Sequence, residues 1–177
     1  NQYTTAAGDA IRYDDNGNLT RINPGVRSER QFEFDYENRL TRVIDPANQQ
    51  TNQYTYDVLG RRIRKTSQSG SITQIGRYSY AFERHAGWQL VEEQNAAGTA
   101  LATYVYDDRG GLVQMRRGAN DYFYHCDDLG NVRALTDELG NVAERYEYGD
   151  FGAPQIMNAS GTPIAQSAIG NSFLFNG

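Results

Sequence analysis

The chain contains little cysteine, proline, tryptophan or methionine. Its 177 residues include one cysteine, four prolines, one tryptophan and two methionines. The single thiol, Cys126, excludes a disulfide bond within the chain and leaves the redox compartment open. Because Cys126 follows Tyr122 and Tyr124 at a spacing of two, we expect it to share their buried face as a small apolar residue.

Long apolar runs and an excess of basic residues are also missing. No stretch approaches the ~20 apolar residues of a membrane-spanning helix, so no membrane insertion is expected. No basic segment followed by an apolar core marks a cleavable signal, which predicts another export route or a larger parent polypeptide. The formal net charge of −5 speaks against nucleic acid as a partner, because that affinity comes from clustered Lys and Arg.

One basic cluster is nevertheless present, formed by Arg61, Arg62, Arg64 and Lys65. In a strand these side chains would alternate between the two faces. We interpret the cluster as a solvated strand surface.

Tyrosine is abundant, with thirteen copies, and many aromatic residues are spaced by two. Such spacing puts them on one face of a strand, and aromatic side chains suit a pleated, half-buried surface. The pairs and triplets are Phe32, Phe34 and Tyr36; Tyr54 and Tyr56; Tyr78, Tyr80 and Phe82; Tyr104 and Tyr106; Tyr122 and Tyr124; and Tyr146 and Tyr148. With no long helical pattern beside them, they predict an all-β protein.

The clearest unit covers residues 54–63. After Tyr54 and Tyr56 comes Asp57, whose short carboxylate can bond backbone N–H groups in a turn. Gly60 can then take a positive φ, and Ile63 resumes the apolar alternation. The unit therefore predicts a strand, a tight turn and a returning strand, which is a β-hairpin.

The same unit recurs along the chain. With Tyr13, Tyr36, Tyr56, Tyr80, Tyr106, Tyr124 and Tyr148 as anchors, the steps are 23, 20, 24, 26, 18 and 24 residues. A nearly constant period of this size indicates a repeat architecture of antiparallel hairpins. In the second unit Asn38 stands in place of the glycine and is expected to adopt the left-handed conformation. The repeat-motif residues are Tyr13, Asp14, Gly17, Leu19, Tyr36, Leu40, Tyr56, Asp57, Gly60, Tyr106, Asp107, Gly110, Leu112, Tyr124, Asp127, Leu129, Gly130, Tyr146, Tyr148, Phe151 and Gly152.

Metal and thiol chemistry find little support. Asp14, Asn16 and Asn18 have the alternate spacing of calcium ligands, but Leu19 stands where a calcium loop has its glycine. His125 and Cys126 are adjacent, so in a strand they point to opposite faces and can form neither a zinc site nor a nucleophile pair. We predict no catalytic residue, no metal and no cofactor.

Two further functions rest on repeated features. The carboxylate pairs are Asp14 and Asp15, Asp107 and Asp108, and Asp127 and Asp128. A glycosidase needs two carboxylates that face each other across ~5–10 Å, whereas these pairs recur at expected turns, which favours a structural role. The tyrosine ladders could instead stack sugars, so an elongated carbohydrate-binding module stays open as the alternative.

A family resemblance follows from the whole string of motifs. The Tyr-Asp-x-x-Gly-Arg/Asn-Leu units resemble the YD repeats of the RHS family. The likeness is strongest in residues 124–137 (YHCDDLGNVRALTD), followed by Gly140-Asn141-Val142 and by residues 146–152 (YEYGDFG). We identify residues 1–177 as one YD-repeat segment without a second domain, in which residues 122–177 resemble the start of the RHS-associated core.

The resemblance implies a curved, spiralling sheet that forms part of a hollow shell. In bacterial members such a shell encloses a C-terminal toxin domain, and in animal teneurins it is an extracellular adhesion scaffold. The expected role is therefore structural and not enzymatic, in a secreted or cell-surface bacterial protein. The expected partners are neighbouring YD repeats, a toxin cargo and, through open strand edges, further copies of the chain.

Both ends of the sequence look like parts of longer repeats. Residues 1–10 read like the tail of a preceding unit, and residues 153–172 are expected to be loop-like. Residues 173–177 predict a strand that runs into Asn-Gly, as in the first half of a hairpin. We therefore expect the natural polypeptide to continue.

Overall fold

The computed structural model describes residues 4–6, 8–150 and 152–174. These residues form strands, turns and loops and contain no helix, so the prediction of an all-β fold is confirmed. None of them therefore belongs to a helix that could span a membrane. The strands are β1 (Thr5–Ala6), β2 (Asp9–Tyr13), β3 (Leu19–Ile22), β4 (Arg30–Phe34), β5 (Leu40–Asp45), β6 (Gln50–Tyr56), β7 (Arg62–Ser69), β8 (Ile72–Glu83), β9 (Gly87–Gln94), β10 (Ala100–Tyr106), β11 (Leu112–Arg117), β12 (Asn120–Cys126), β13 (Val132–Asp137), β14 (Val142–Tyr148), β15 (Pro154–Asn158) and β16 (Pro163–Ile164).

The chain divides into two compact units. Unit 1 comprises residues 1–78 and 95–98, and unit 2 comprises residues 79–94 and 99–177. Within each unit every strand hydrogen-bonds to the strand that follows it in the chain, without a crossover. The predicted antiparallel hairpin repeats are thus present, while the predicted curvature and spiral stay a prediction.

A β-bulge accompanies the turn of most hairpins. In the β6–β7 pair, Thr55 lies opposite Arg64 but Tyr56 lies opposite Arg62, which leaves Ile63 without a partner. The same shift occurs between Arg12 and Tyr13 in β2–β3, and at the equivalent positions of β4–β5, β10–β11 and β12–β13. Because a bulge places two residues opposite one, it lets the residue before each turn keep its face while the returning strand changes register.

The buried core lies in unit 2. Its apolar members are Ala102, Tyr104, Met115, Tyr124, Val132, Leu135 and Tyr146. They come from β10 to β14 and share one face of the sheet, through alternation and, for Val132, through the bulge that leaves Arg133 unpaired in β13. None of the described residues of unit 1 is fully buried, because its aromatic face, which includes Phe32 and Tyr54, is only half-covered.

Three local predictions need correction. The stretch 153–172, expected to be loop-like, contains the β15–β16 hairpin. Phe173 and Leu174 belong to no strand, and the rest of the hairpin expected there lies outside the described residues. Cys126 is exposed and not buried. The extra residue of the neighbouring bulge, Arg133, lies in β13, so Cys126 keeps the face of Tyr124, but that face is uncovered at the end of β12.

Candidate functional site

The repeat turns are five-residue loops, each begun by a residue whose side chain holds the loop closed. In the turn that starts at Asp57, the Oδ1 atom accepts hydrogen bonds from the backbone N–H groups of Leu59 (2.9 Å) and Arg61 (3.0 Å). Oδ2 accepts another from Nε of Arg61 at 2.6 Å. The backbone completes the loop, because Asp57 N–H donates to the Arg61 carbonyl and Gly60 N–H to the Asp57 carbonyl.

This arrangement recurs in both units. The turns that start at Asp14, Asp35, Asp107, Asp127 and Asp137 have the same two backbone bonds and the same pair of N–H groups on Oδ1. Asn158 replaces the aspartate in the turn between β15 and β16 and accepts the same bonds from Ser160 and Thr162. Because this turn has Asn158 in place of aspartate, the Tyr-Asp pattern does not predict the last hairpin.

The fourth position of the repeat turn requires a left-handed backbone. It is glycine in most copies, for example Gly60 with φ of 77°. Asn38 takes this position in the Asp35 turn with φ of 61°, so the prediction made for Asn38 is confirmed. Asparagine tolerates this region better than other residues with a Cβ atom.

The fifth position supplies a side chain to Oδ2. Asn18, Arg39, Arg61, Asn131 and Asn141 all donate to the carboxylate that opens their turn. A hydrogen bond to the ionised form favours it. Accordingly, the Asn18 side chain lowers the pKa of Asp14, and that of Asn131 lowers the pKa of Asp127. These carboxylates are engaged in holding backbone, which is the role expected of a structural motif.

The same bonds occupy the positions that a bound calcium ion would need around Asp14. Its Oδ1 accepts from the N–H groups of Asn16 and Asn18, and its Oδ2 accepts from Nδ2 of Asn18 at 2.9 Å. Among the described side chains, no three His, Cys, Asp or Glu residues group in a way that could hold a metal ion.

A tyrosine hydroxyl joins neighbouring hairpins at three places. The hydroxyls of Tyr56, Tyr106 and Tyr148 donate to the backbone carbonyls of Leu40, Leu90 and Val132, at 2.8, 2.8 and 2.7 Å. In each case the acceptor lies sixteen residues earlier, in the returning strand of an earlier hairpin. Desolvation by burial raises the pKa of Tyr106 and of Tyr148 to about 12. These three tyrosines, of which Tyr56 and Tyr106 belong to Tyr-Asp pairs, therefore each tie one repeat to an earlier one.

Two predicted motif residues lie elsewhere than the spacing suggested. Tyr36, taken as a strand anchor, is the second residue of the Asp35 turn and is 88 % exposed. Phe34 occupies the position that tyrosine has in other repeats, since it directly precedes the turn. Leu129 is the third residue of the Asp127 turn and is 78 % exposed, whereas Val132 is the fully buried aliphatic residue of that repeat.

The remaining motif residues occupy the two strands and the turn of their hairpins, apart from Phe151, which lies outside the described residues. Tyr13, Leu19, Leu40 and Leu112 are in strands, as are Tyr124 and Tyr146. Gly17, Gly110, Gly130 and Gly152 all have positive φ. The structure thus distributes them over separate hairpins. Seven of them line one cavity of unit 2, namely Tyr106, Asp107, Gly110, Leu112, Tyr124, Asp127 and Gly130.

A buried carboxylate anchors a loop that the sequence did not reveal. Glu144 is 1 % exposed, and its carboxylate accepts hydrogen bonds from the hydroxyls of Tyr146 and Ser167 and from the N–H groups of Ala168 and Ile169. A buried charge needs such partners. Glu144 shares the alternation of Tyr146, so its place on the buried face could have been predicted, but its loop partners could not.

The loop anchored in this way covers the aromatic face of unit 2. Asn171 accepts from the Tyr124 hydroxyl at 2.7 Å and donates to Tyr146 at 3.1 Å. The Phe173 ring meets that of Tyr104 edge-on, with centroids 4.9 Å apart. We call residues 167–174 the covering loop, because it is what buries the tyrosines of unit 2.

A cavity of about 680 Å³ lies between two repeat turns of unit 2. Tyr106, Tyr124 and Phe173 contribute apolar surface, while Asp107 and Asp127 lie at its turns. Cys126 also lines it, and desolvation raises the pKa of that thiol. A raised pKa keeps a thiol protonated and unreactive, so the cavity does not resemble a catalytic centre.

Comparison with known proteins supports the repeat interpretation. Residues 1–170 match the family model described as Teneurin YD-shell. The chain is 31 % identical over 163 residues to the tRNA3(Ser)-specific nuclease WapA of Bacillus spizizenii, and this match covers 90 % of the chain and 6 % of that protein. It is 27 % identical over 173 residues to double-stranded DNA deaminase toxin A of Burkholderia cenocepacia, with coverages of 84 % and 12 %. Teneurin-3 of Danio rerio is 28 % identical over 150 residues, with coverages of 84 % and 5 %.

Solved structures share the fold. The Tc holotoxin pore of Photorhabdus luminescens superposes with a TM-score of 0.57 at 15 % identity, over 96 % of this chain and 10 % of that one. TcdB2-TccC3 without its hypervariable C-terminal region has a TM-score of 0.55 at 14 % identity, over 96 % and 11 %. The chain spans only 5 % to 12 % of the curated relatives named above. The repeat turns, the hydroxyl ties and the family match together show that the chain belongs to the Teneurin YD-shell family.

Proposed function

We propose that this chain is a non-catalytic stretch of shell wall, in a larger secreted or cell-surface bacterial protein that encloses a C-terminal toxin domain. The observation that carries the proposal is the repeated use of the motif side chains. The turn carboxylates and tyrosine hydroxyls are hydrogen-bonded to backbone in hairpin after hairpin. A catalytic reaction depends on one site with its own set of residues, whereas a shell wall is built from the same contact between repeats many times.

The names of the relatives also support a structural role for this segment. They include a tRNA nuclease, a DNA deaminase toxin and a teneurin, and the chain covers a small part of each. A segment common to proteins with such different names is better suited to a shared scaffold than to any one of their activities. Its partners would be neighbouring YD repeats, a toxin cargo and, through unpaired strand edges, further copies.

The reading frame around the coding segment tests this proposal first. We expect further YD repeats on both sides, followed by an unrelated domain. The polypeptide encoded by that whole frame should then protect the last domain from trypsin, while the same domain expressed alone is digested. Rapid digestion of the domain within the intact protein would contradict enclosure.

A matched pair of variants sharpens the protease experiment. Tyr106→Phe and Tyr148→Phe together remove two ties between repeats and should expose the cargo to trypsin earlier than in the parent protein. Tyr122→Phe is the control, because its hydroxyl has no hydrogen-bond partner in the part of the chain that the structure describes. If both proteins are digested at the same rate, the ties do not hold the wall closed.

An adhesion or carbohydrate-binding scaffold is the second candidate. One exposed aromatic pair favours it, since Phe82 and Trp88 are 62 % and 47 % exposed with ring centroids 5.1 Å apart. The tyrosine ladder of unit 2 offers no such surface, because Tyr104, Tyr124 and Tyr146 are buried. Retention on bacterial polysaccharide columns that is lost in Trp88→Ala and kept in Tyr36→Ala would favour this function, whereas no retention of the parent chain would exclude it.

A further inference from the structure

Five arginines of unit 1 lie on one face of its sheet. The strand register brings them there from distant parts of the sequence. Arg12 lies opposite Arg21, and Arg21 lies opposite Gln31. Gln31 in turn lies opposite Ile44. Arg42 is two residues before Ile44 in the same strand, so it shares this face. Arg42 pairs with Gln53, whose same-face neighbour Thr55 pairs with Arg64, and Arg64 pairs with Arg77. We call Arg12, Arg21, Arg42, Arg64 and Arg77 the arginine face.

Two pairs on this face are like charges directly opposite each other. Arg12 faces Arg21, and Arg64 faces Arg77. Directly opposed residues of an antiparallel pair have Cβ atoms ~5 Å apart, and like charges there are destabilising. The fold therefore accepts repulsion twice on one surface, which favours a binding role for that surface over a stabilising one.

The charges of the arginine face are only partly neutralised. Arg21 pairs with Glu29 at 2.7 Å, and Arg42 with Glu33 at 3.5 Å. The Nε atom of Arg42 is buried and has no hydrogen-bond partner among the described residues. Arg12, Arg64 and Arg77 are exposed and form no ion pair within residues 4–6, 8–150 and 152–174.

The neighbouring basic residues are engaged elsewhere. Arg61 pairs with Asp57, and the Arg62 guanidinium lies 5.7 Å and 4.9 Å from the ring centroids of Tyr54 and Tyr78. Lys65 points to the other face, because it pairs with Tyr54 next to Arg64. The basic cluster read from the sequence therefore separates, and only Arg64 of its four members joins the arginine face.

The net charge of the whole chain does not show that its two units differ in charge. Unit 1 carries eleven basic and nine acidic residues, whereas unit 2 carries six basic and thirteen acidic ones. Unit 2 therefore has a net charge of −7 and unit 1 one of +2, so unit 1 is mildly basic, with its surplus concentrated on one face.

We propose that the arginine face is a docking surface for an acidic polypeptide, recognised through its Asp and Glu carboxylates. A guanidinium matches a carboxylate in a bidentate geometry, and the uncharged donors Gln53, Thr55 and Thr66 lie on the same face. No strand residue described on this face of unit 1 is aromatic, so it lacks the stacking platform of single-stranded nucleic-acid binding. This inference does not depend on whether the chain encloses a toxin.

Fluorescence anisotropy of labelled poly-L-glutamate, titrated with the full chain at low salt, tests the proposal. We expect binding that weakens as salt is added. The double variant Arg64→Gln/Arg77→Gln should weaken it by about tenfold, because two exposed charge contacts are lost. Lys65→Gln is the matched control, since it removes one charge from the same strand on the opposite face and should leave binding within about twofold.

Thermal unfolding of the same variants separates binding from folding. Removing one member of an opposed pair relieves repulsion, so Arg64→Gln should melt at or above the temperature of the parent chain while it binds less poly-L-glutamate. An absence of poly-L-glutamate binding would overturn the proposal. So would equal losses in Lys65→Gln and the double variant, or tighter binding of duplex DNA or anionic vesicles than of poly-L-glutamate.

Discussion

The hydroxyl of Tyr148 donates a hydrogen bond of 2.7 Å to the backbone carbonyl of Val132, which lies sixteen residues earlier. Val132 is fully buried. Its carbonyl therefore depends on a side chain from another hairpin. The equivalent bonds of Tyr56 and Tyr106 show that the same joint occurs in three of the repeats.

Removing that joint should weaken the fold of unit 2. In Tyr148→Phe the Val132 carbonyl loses its partner, and we expect the free energy of unfolding to fall by about 1 kcal/mol. Urea denaturation followed by tyrosine fluorescence measures this loss. Tyr122→Phe should change stability much less, and an equal loss in both variants would show that the hydroxyl bond contributes nothing specific.

The carboxylate that opens a repeat turn should matter more than its neighbour. Asp14→Ala removes the acceptor of three hydrogen bonds, from Asn16 N–H, Asn18 N–H and Asn18 Nδ2. We expect it to lower the melting temperature by a few degrees, measured by circular dichroism. Asp15→Ala is the matched control, because it removes an adjacent carboxylate that holds no loop backbone, and it should melt like the parent.

The buried Glu144 should hold the covering loop in place. Glu144→Ala leaves the N–H groups of Ala168 and Ile169 without their acceptor, at a cost of about 2 kcal/mol or more. Hydrogen exchange at these two amides should accelerate before that of the strands. Glu147→Ala is the control, because Glu147 lies on the exposed face of the same strand. If the amides of Ala168 and Ile169 also exchange faster in Glu147→Ala, the acceleration is not due to the lost hydrogen bonds.

Acid should destabilise the repeat turns together. Hydrogen bonds from the side chains of Asn18, Arg61, Asn131 and Asn141 lower the pKa values of Asp14, Asp57, Asp127 and Asp137 below the ordinary value of an aspartate. A carboxyl whose pKa is lower in the folded state contributes stability above its unfolded pKa and loses it as the pH falls through the folded pKa. Denaturant midpoints should therefore be constant near neutral pH and fall below about pH 4.

The position of that acid transition can be checked with one substitution. Asp57→Asn keeps an acceptor at Oδ1 but cannot titrate, so its midpoint should depend less steeply on pH than that of the parent. An unchanged slope would show that Asp57 is not among the groups that carry the transition.

Much of the local structure was predictable because it depends on residues close in the sequence. The Asp57 turn uses atoms from five consecutive residues, so a carboxylate, a left-handed position and an apolar return are enough to specify it. Prediction failed where another residue type takes the position of the tyrosine or the aspartate of the repeat. The spacing of aromatic residues predicts Tyr36 as the anchor where the structure has Phe34, and the composition around Asn158 predicts a loop where the structure has a repeat turn.

Long-range contacts were not predictable. The residues near Glu144 in the sequence do not predict that Ser167 and Ala168, more than twenty residues later, donate hydrogen bonds to it. The exposure of Cys126 also escaped prediction, because alternation assigns a residue to a face of the sheet but does not say how well that face is covered.

The sequence by itself determined the all-β class, the hairpin unit and its period, because these follow from side-chain alternation and from turn chemistry within a few residues. Only the tertiary structure decided which tyrosines are buried, which carbonyls their hydroxyls reach and which arginines share a face. Register and bulges decide those contacts, since a shift by one residue moves a side chain to the other face of the sheet.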